Sequence, residues 1–145
     1  MTPTLVIDAS VAVKWFVREE QSDEARRLAE SGAKLVAPRL IGLEVAAALS
    51  KKARRKLVDP AVVDTCVDAL PIFFDELIDD GALVRSAVSI ALDLDHALYD
   101  CLYLEAARRR EAVLVTSDLR FLGKAARGRQ KTEIVALSDW EAAIR

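Results

Sequence analysis

Four acids in this chain stand where a charge has nothing to pair with: Asp8, Glu44, Asp100 and Asp118. Asp100 lies in HALYDCLYL (96–104). On a helix its neighbours three and four residues away are His96, Ala97, Tyr103 and Leu104, with no lysine or arginine among them. Glu44, within RLIGLEVAAAL, meets Leu40, Ile41, Ala47 and Ala48 at the same spacings. Glu24 is different, because Arg27 follows three residues on as in an ordinary surface pair. An ionised carboxylate is not buried cheaply without a partner or a metal. Each acid alone has a structural explanation. Asp8 and Asp118 suit helix N-caps, Asp100 suits the first turn of a helix, and Glu44 could meet a distant arginine. Together, four such acids on one edge of a sheet need a common counter-charge. An oxygen-only donor set selects a hard cation, Mg²⁺ or Mn²⁺, over zinc or copper.

The elements that bring them to one edge are readable from periodicity. TLVID (4–8), KLVAP (34–38), AVLVTSD (112–118) and TEIVAL (132–137) are short apolar runs of strand type. Between them the spacing predicts helices over 10–17, 22–31 with Gly32 as the stop, 38–56, 81–92 and 99–110. Asp59-Pro60 is a cap followed by a first-turn proline for another helix, which Pro71 ends or kinks. A short helix follows Asp118, and Ser138 with Glu141 forms a capping box for the last one. Strands alternating with helices predict an α/β fold, a mainly parallel central sheet with helices on both faces in three layers. In such sheets ligands bind outside the carboxyl ends of the strands, where Asp8 and Asp118 fall.

Length and composition bound the rest. At 145 residues, 52% hydrophobic and 30% charged, the chain is expected to be a single domain over 1–145 and a soluble, ordered one. No signal-like start and no membrane-length apolar run is present, so a cytoplasmic protein with no membrane partner is expected. Cys66 and Cys101 are too few for a disulfide framework or a cysteine zinc site. The net charge of −2 hides an asymmetry. Residues 59–100 carry ten acids against Arg85, whereas 105–131 carry eight bases against three acids, and KKARRK (51–56) is a second basic run. Two basic segments favour a polyanionic partner over a merely solvated surface. No Gly-rich phosphate cradle occurs, which argues against nucleoside triphosphate chemistry. His96 is the only histidine, so imidazole cannot supply both an acid and a base, and capping or packing is its expected role. Trp15 and Phe16 read as core or dimer contacts. Tyr99 and Tyr103, one turn apart, read as helix packing with a polar tip.

The pieces VIDASVAVKWF, APRLIGLEVAAAL, HALYDCLYLEAA and LVTSDLRF, in this order and spacing, resemble the PIN-domain ribonucleases, and most closely the VapC toxins of VapBC toxin–antitoxin systems. The likeness runs from the first strand to the last. It implies a PIN domain acting as a Mg²⁺-dependent endoribonuclease that hydrolyses RNA by metal-activated water. Asp8, Glu44, Asp100 and Asp118 would be its metal-binding and catalytic acids, with Mn²⁺ able to substitute for Mg²⁺. Ser10 and Thr116 match supporting hydroxyl positions. A VapB-like antitoxin, an RNA substrate and a homodimer are the implied partners. One departure is Ala47, where the family often has an asparagine beside the helical glutamate. Two rivals stand beside this reading. One is a degenerate PIN-like module that binds RNA without cutting it. The other is a phosphoaspartate hydrolase or receiver-type domain, disfavoured because Ala9 and Ser10 follow Asp8 where a further acid is needed.

Overall fold

Thr4–Ile7 (β1) occupies the middle of a five-stranded sheet, and its Leu5, Val6 and Ile7 are fully buried. A central strand covered on both faces must be apolar along its whole length, hence the unbroken LVI. The computed structural model describes residues 2–129 and 132–145, so Met1, Gln130 and Lys131, the last of the eight bases counted above, lie outside it. The other strands are Lys34–Pro38 (β2), Glu76–Ile78 (β3), Val113–Thr116 (β4) and Ile134–Ala136 (β5). They stand in the order β3-β2-β1-β4-β5, and every pairing is parallel.

Helices fill the connections. Ala9–Ala12 (α1) runs into a 3-10 turn at Val13–Trp15, and Ser22–Ala29 (α2) leads to β2. Leu40–Arg54 (α3) and Ala61–Ala69 (α4) lead to β3, Asp80–Leu94 (α5) and Leu98–Arg109 (α6) to β4, and Leu119–Ala126 (α7) to β5. Trp140–Ala143 (α8) closes the described chain. From β1 the path moves outward through β2 to β3, then returns across the sheet to β4 and β5. Right-handed crossovers therefore set the helices of the two halves on opposite faces. The direction changes between β1 and β4, and that switch point is where an α/β sheet opens a crevice at its carboxyl edge.

α6 is the most enclosed helix, with Cys101 through Ala107 all buried against β1, β2, β4 and α5. Its middle, Cys101 to Ala107, is apolar apart from Glu105, as a helical stretch with no solvent face must be. Elsewhere the expected punctuation holds. Gly32 adopts φ +82° just past α2, a conformation costly for any residue with a Cβ. The Asp59 carboxylate accepts from the Ala61 amide at 2.9 Å at the start of α4.

Two expectations are corrected. A fifth strand, β3, joins the four foreseen. It has only three residues and stands at the edge, held by reciprocal bonds of Asp75 with Leu35: the Leu35 amide donates to Asp75 Oδ2 at 2.8 Å and the Asp75 amide to the Leu35 carbonyl at 2.9 Å. The capping box at Ser138 and Glu141 does not form, because Ser138 lies within a 3-10 turn (Leu137–Asp139) and Glu141 is drawn to Arg27 on α2. Trp15 and Phe16 pack within the chain: Trp15 stacks on Phe73 at 4.4 Å and Phe16 meets it edge-on.

Candidate active site

At the switch point the chain leaves β1 through Asp8 and β4 through Thr116, Ser117 and Asp118. Asp8 is 4% exposed. Its backbone is extended, and its Oδ1 accepts from the Val11 amide at 3.3 Å, so it does cap α1. It also accepts from the Ser10 hydroxyl at 2.6 Å and from the Thr116 hydroxyl. Ser10 Oγ in turn accepts from the Ser117 amide at 2.8 Å, and Thr116 Oγ1 accepts from the Asp118 amide at 3.0 Å. Two hydroxyls thus tie the ends of neighbouring strands to one carboxylate.

Burial pushes the Asp8 carboxyl up to about 7. Its hydrogen bonds to Ser10, Thr116 and Val11 pull the other way, and the charge of Asp100 adds to the rise. Asp100 sits in the first turn of α6, its side chain 28% exposed, with His96 Nε2 at 2.6 Å from Oδ2. Glu44, half-buried on α3, accepts from the Tyr103 hydroxyl at 2.7 Å. Burial raises its carboxyl, with Asp100 and Asp80 contributing repulsion and the Tyr103 bond opposing. Asp118 is exposed and caps α7 through the Phe121 amide at 3.0 Å.

The structure therefore joins Asp8, Glu44 and Asp100 through mutual electrostatic influence and puts Asp118 on the same edge, bonded through its backbone to Thr116. Among the described residues none of the four forms an ion pair with lysine or arginine. Glu44 meets a tyrosine instead of an arginine. Tyr103 is 1% exposed, and burial followed by the charge of Glu44 holds its phenol far above its ordinary range, so it remains a donor. The Tyr103 hydroxyl thus holds Glu44 on a helix where position 47 is an alanine with no polar atom to offer.

A divalent cation suits the chemistry of these donors: carboxylate oxygens and hydroxyls, with no lysine or arginine ion-paired to the acids among the described residues. Among the described residues no group of three or more His, Cys, Asp or Glu side chains is arranged to hold a metal ion.

Sequence reasoning passed over two contacts. His96 pairs with Asp100, which its spacing of four allowed, and Tyr103 reaches Glu44 across 59 residues, which no local pattern shows. The basic segment is also partly consumed. Arg108 and Arg109 bind Glu105, Arg110 binds Glu76, and Lys124 donates to the Asp95 carbonyl at 2.6 Å. Arg120 has no hydrogen-bond or ion-pair partner among the described residues. With Lys124, Val88, Leu92 and His96 it lines a cleft of about 800 Å³ that opens beside Asp118. Cys66 and Cys101 are free and buried. Burial and then Asp100 push the Cys101 thiol to about 11, which leaves it protonated and unreactive.

The fold, the switch point and the acids fit one known family. The PIN domain family model matches residues 5–127. Ribonuclease VapC3 of Pyrobaculum aerophilum is 30% identical over 122 residues, covering 83% of this chain and 93% of that protein. Among solved structures, PAE2754 from P. aerophilum superimposes with a TM-score of 0.72 at 23% identity, over 99% of this chain and 98% of that one. Mycobacterium tuberculosis VapC20, described as a Sarcin-Ricin loop cleaving toxin, gives 0.69 at 14% identity over 86% and 95%. Rickettsia felis VapBC2, solved bound to a DNA fragment from its promoter, gives 0.66 at 12% identity over 92% and 98%. This chain belongs to the PIN domain family, in its VapC branch.

Proposed function

We propose that this chain is a divalent-cation-dependent endoribonuclease, the toxin of a type II toxin–antitoxin pair. One observation carries the proposal: along the carboxyl edge of a parallel sheet stand acids held by hydroxyl and phenol donors, with no lysine or arginine ion-paired to them among the described residues. The VapC names of its relatives support the same reading. Asp8 and Asp100 would hold the ion, with Glu44 and Asp118 orienting water and phosphate around it. When bound, a divalent ion supplies an activated water near neutral pH and offsets the charge of the phosphate.

The protein's own share is positioning. Ser10 and Thr116 hold the Asp8 carboxylate, and Tyr103 holds Glu44. Arg120 and Lys124 take backbone phosphates of the RNA strand in the cleft, while Val88 and Leu92 offer an apolar wall to its bases. With a single imidazole, the site lacks the acid and base that attack by the RNA's own 2′-hydroxyl requires. Attack by water leaves a 5′-phosphate and a 3′-hydroxyl.

Mg²⁺ or Mn²⁺ as the working ion, a single domain and a cytoplasmic location belong to this proposal. So do a VapB-like antitoxin covering the acids and a homodimer. A non-cleaving RNA-binding module is the competing reading, and the lack of a three-residue metal cluster among the described residues favours it.

One experiment separates them. The purified chain, incubated with RNA in Mg²⁺, Mn²⁺ or EDTA, should cut in the first two and stop in the third, with 5′-phosphate ends. Equal rates in EDTA and Mg²⁺, a 2′,3′-cyclic phosphate product, or binding without cleavage would overturn the proposal.

A further inference from the structure

We infer that His96 is a positioning residue for Asp100, with Phe121 as the surface that fixes its ring. The inference rests on reading the site as a cation-dependent nuclease and adds to it a residue outside the acidic quartet.

His96 stands four residues ahead of Asp100, just before α6. It does not cap that helix, whose first turn begins at Ala97 with no side-chain cap. Its Nε2 lies 2.6 Å from Asp100 Oδ2, and a carboxylate oxygen only accepts, so Nε2 carries the proton and donates. The ring lies nearly parallel to Phe121, centroids 5.0 Å apart and planes 12° from each other. Phe121 is fully buried, and its own amide is the one capped by Asp118. The imidazole therefore has little room to turn, and its side chain is 11% exposed.

One ring thus links two acids from different elements. It donates to Asp100 on α6, and it packs against the residue whose amide anchors Asp118 at the start of α7. A carboxylate in a first helical turn is free about two side-chain torsions. The bond to Oδ2 removes that freedom and leaves Oδ1 without any hydrogen bond among the described residues. Asp8 and Glu44 are the acids whose charges interact with this carboxylate. Carboxylates that hold metal ions are themselves oriented by hydrogen bonds, and losing such a partner costs about 10–100-fold in affinity or rate.

Two substitutions separate the hydrogen bond from the packing. His96→Phe keeps a ring against Phe121 but has no N–H, whereas His96→Gln gives up the ring and can present an N–H near the Nε2 position. Mn²⁺ binding to the RNA-free protein is measured by titration calorimetry, beside the melting temperature without metal and kcat and KM on RNA. His96→Phe should melt close to wild type, bind Mn²⁺ about tenfold or more weakly, and lose kcat with KM unchanged. His96→Gln should recover most of the affinity. Equal Mn²⁺ affinity in wild type and His96→Phe, or no recovery in His96→Gln, overturns the role of His96. If His96→Phe fails to fold, His96→Met replaces it, since Met matches Gln in length and has no donor. Wild-type protein that binds no divalent ion would instead overturn the reading of the site on which this rests.

Discussion

Asp8 and Glu105 are both almost wholly inaccessible, at 4% and 1% exposure, yet the protein treats them in opposite ways. Glu105 lies mid-helix on α6 and accepts from Arg108 Nε at 2.7 Å and Nη2 at 2.6 Å, and from Arg109 Nε at 2.7 Å. Burial alone would raise its carboxyl, but the bonds and charges of the two arginines outweigh burial and hold it below the ordinary range. Asp8 has hydroxyls and an amide for company, and burial wins. The same helix carries both solutions, because Asp100 stands five residues before Glu105 and has a histidine where Glu105 has arginines. A buried acid that serves only the fold is neutralised by its own helix at spacings of three and four. On the proposed function, an acid without such a partner takes its counter-charge from a bound cation.

The sharpest break of this contrast is to remove that acid's charge. Asp8→Asn or Asp100→Asn should lower cleavage by more than about 100-fold, beyond the loss typical of a supporting residue. Asp8→Asn should also melt no lower than wild type in the absence of metal, since it deletes a repelled, buried charge. RNase rates and calorimetric melting check both halves, and an undiminished rate would remove Asp8 or Asp100 from the site. Supplying the charge is the converse. At about 100 times its dissociation constant, Mg²⁺ should stabilise the wild type by about 2.7 kcal/mol. That gain should shrink in Asp8→Asn and persist in Glu105→Gln, and a melting point indifferent to Mg²⁺ in the wild type would end the comparison.

Loosening the hydroxyls should matter less. Ser10→Ala and Thr116→Val each leave Asp8 in place with one donor fewer, and about 10–100-fold should be lost in activity or metal affinity. Rates equal to wild type would mean that α1 alone orients Asp8. Glu105→Gln should show the smallest effect and a different kind of one. It should cost about 1–3 kcal/mol in urea unfolding at neutral pH and leave the activity of folded molecules unchanged. Because the folded carboxyl titrates below the unfolded one, its stabilisation is complete above about 4.5 and is lost as pH falls through the folded value. The gap between wild type and Glu105→Gln should therefore close on acidification. A gap that widens there would mean that the arginines are not its source.

What could be read in the sequence follows from how far each interaction reaches. β1, β2, β4 and β5 were readable because each is an apolar run between helical stretches. β3 was not, because Glu76-Leu77-Ile78 has two apolar residues and owes its place to Asp75, which binds Leu35 forty residues away. Asp8, Glu44, Asp100 and Asp118 drew attention through what was missing at helical spacing, which is local information. The arginines of 108–110 looked free by charge count, although Arg108 and Arg109 stand at helical spacing from Glu105 and Arg110 finds Glu76 across the fold. Tyr103 on Glu44 and Arg27 on Glu141 are contacts between distant elements, so a capping box that was locally sound lost its glutamate to a partner 114 residues away.

The bond from Thr116 to Asp8 spans 108 residues and also sets when the molecule becomes complete. During synthesis Asp8 emerges early, and β1 can pair with β2 once residue 38 is out. β4 and its hydroxyl arrive only after α3 to α6 have been made, and pairing across so long a loop is slow. Until then the edge of β1 that β4 will cover is open, and the acid at its end lacks one of its three hydrogen-bond donors. A growing chain therefore carries Asp8 from the start but completes its surroundings last. On the proposed function, any ribosome-bound fragment that stops before Asp118 would be inert, which would spare the machinery that is making it.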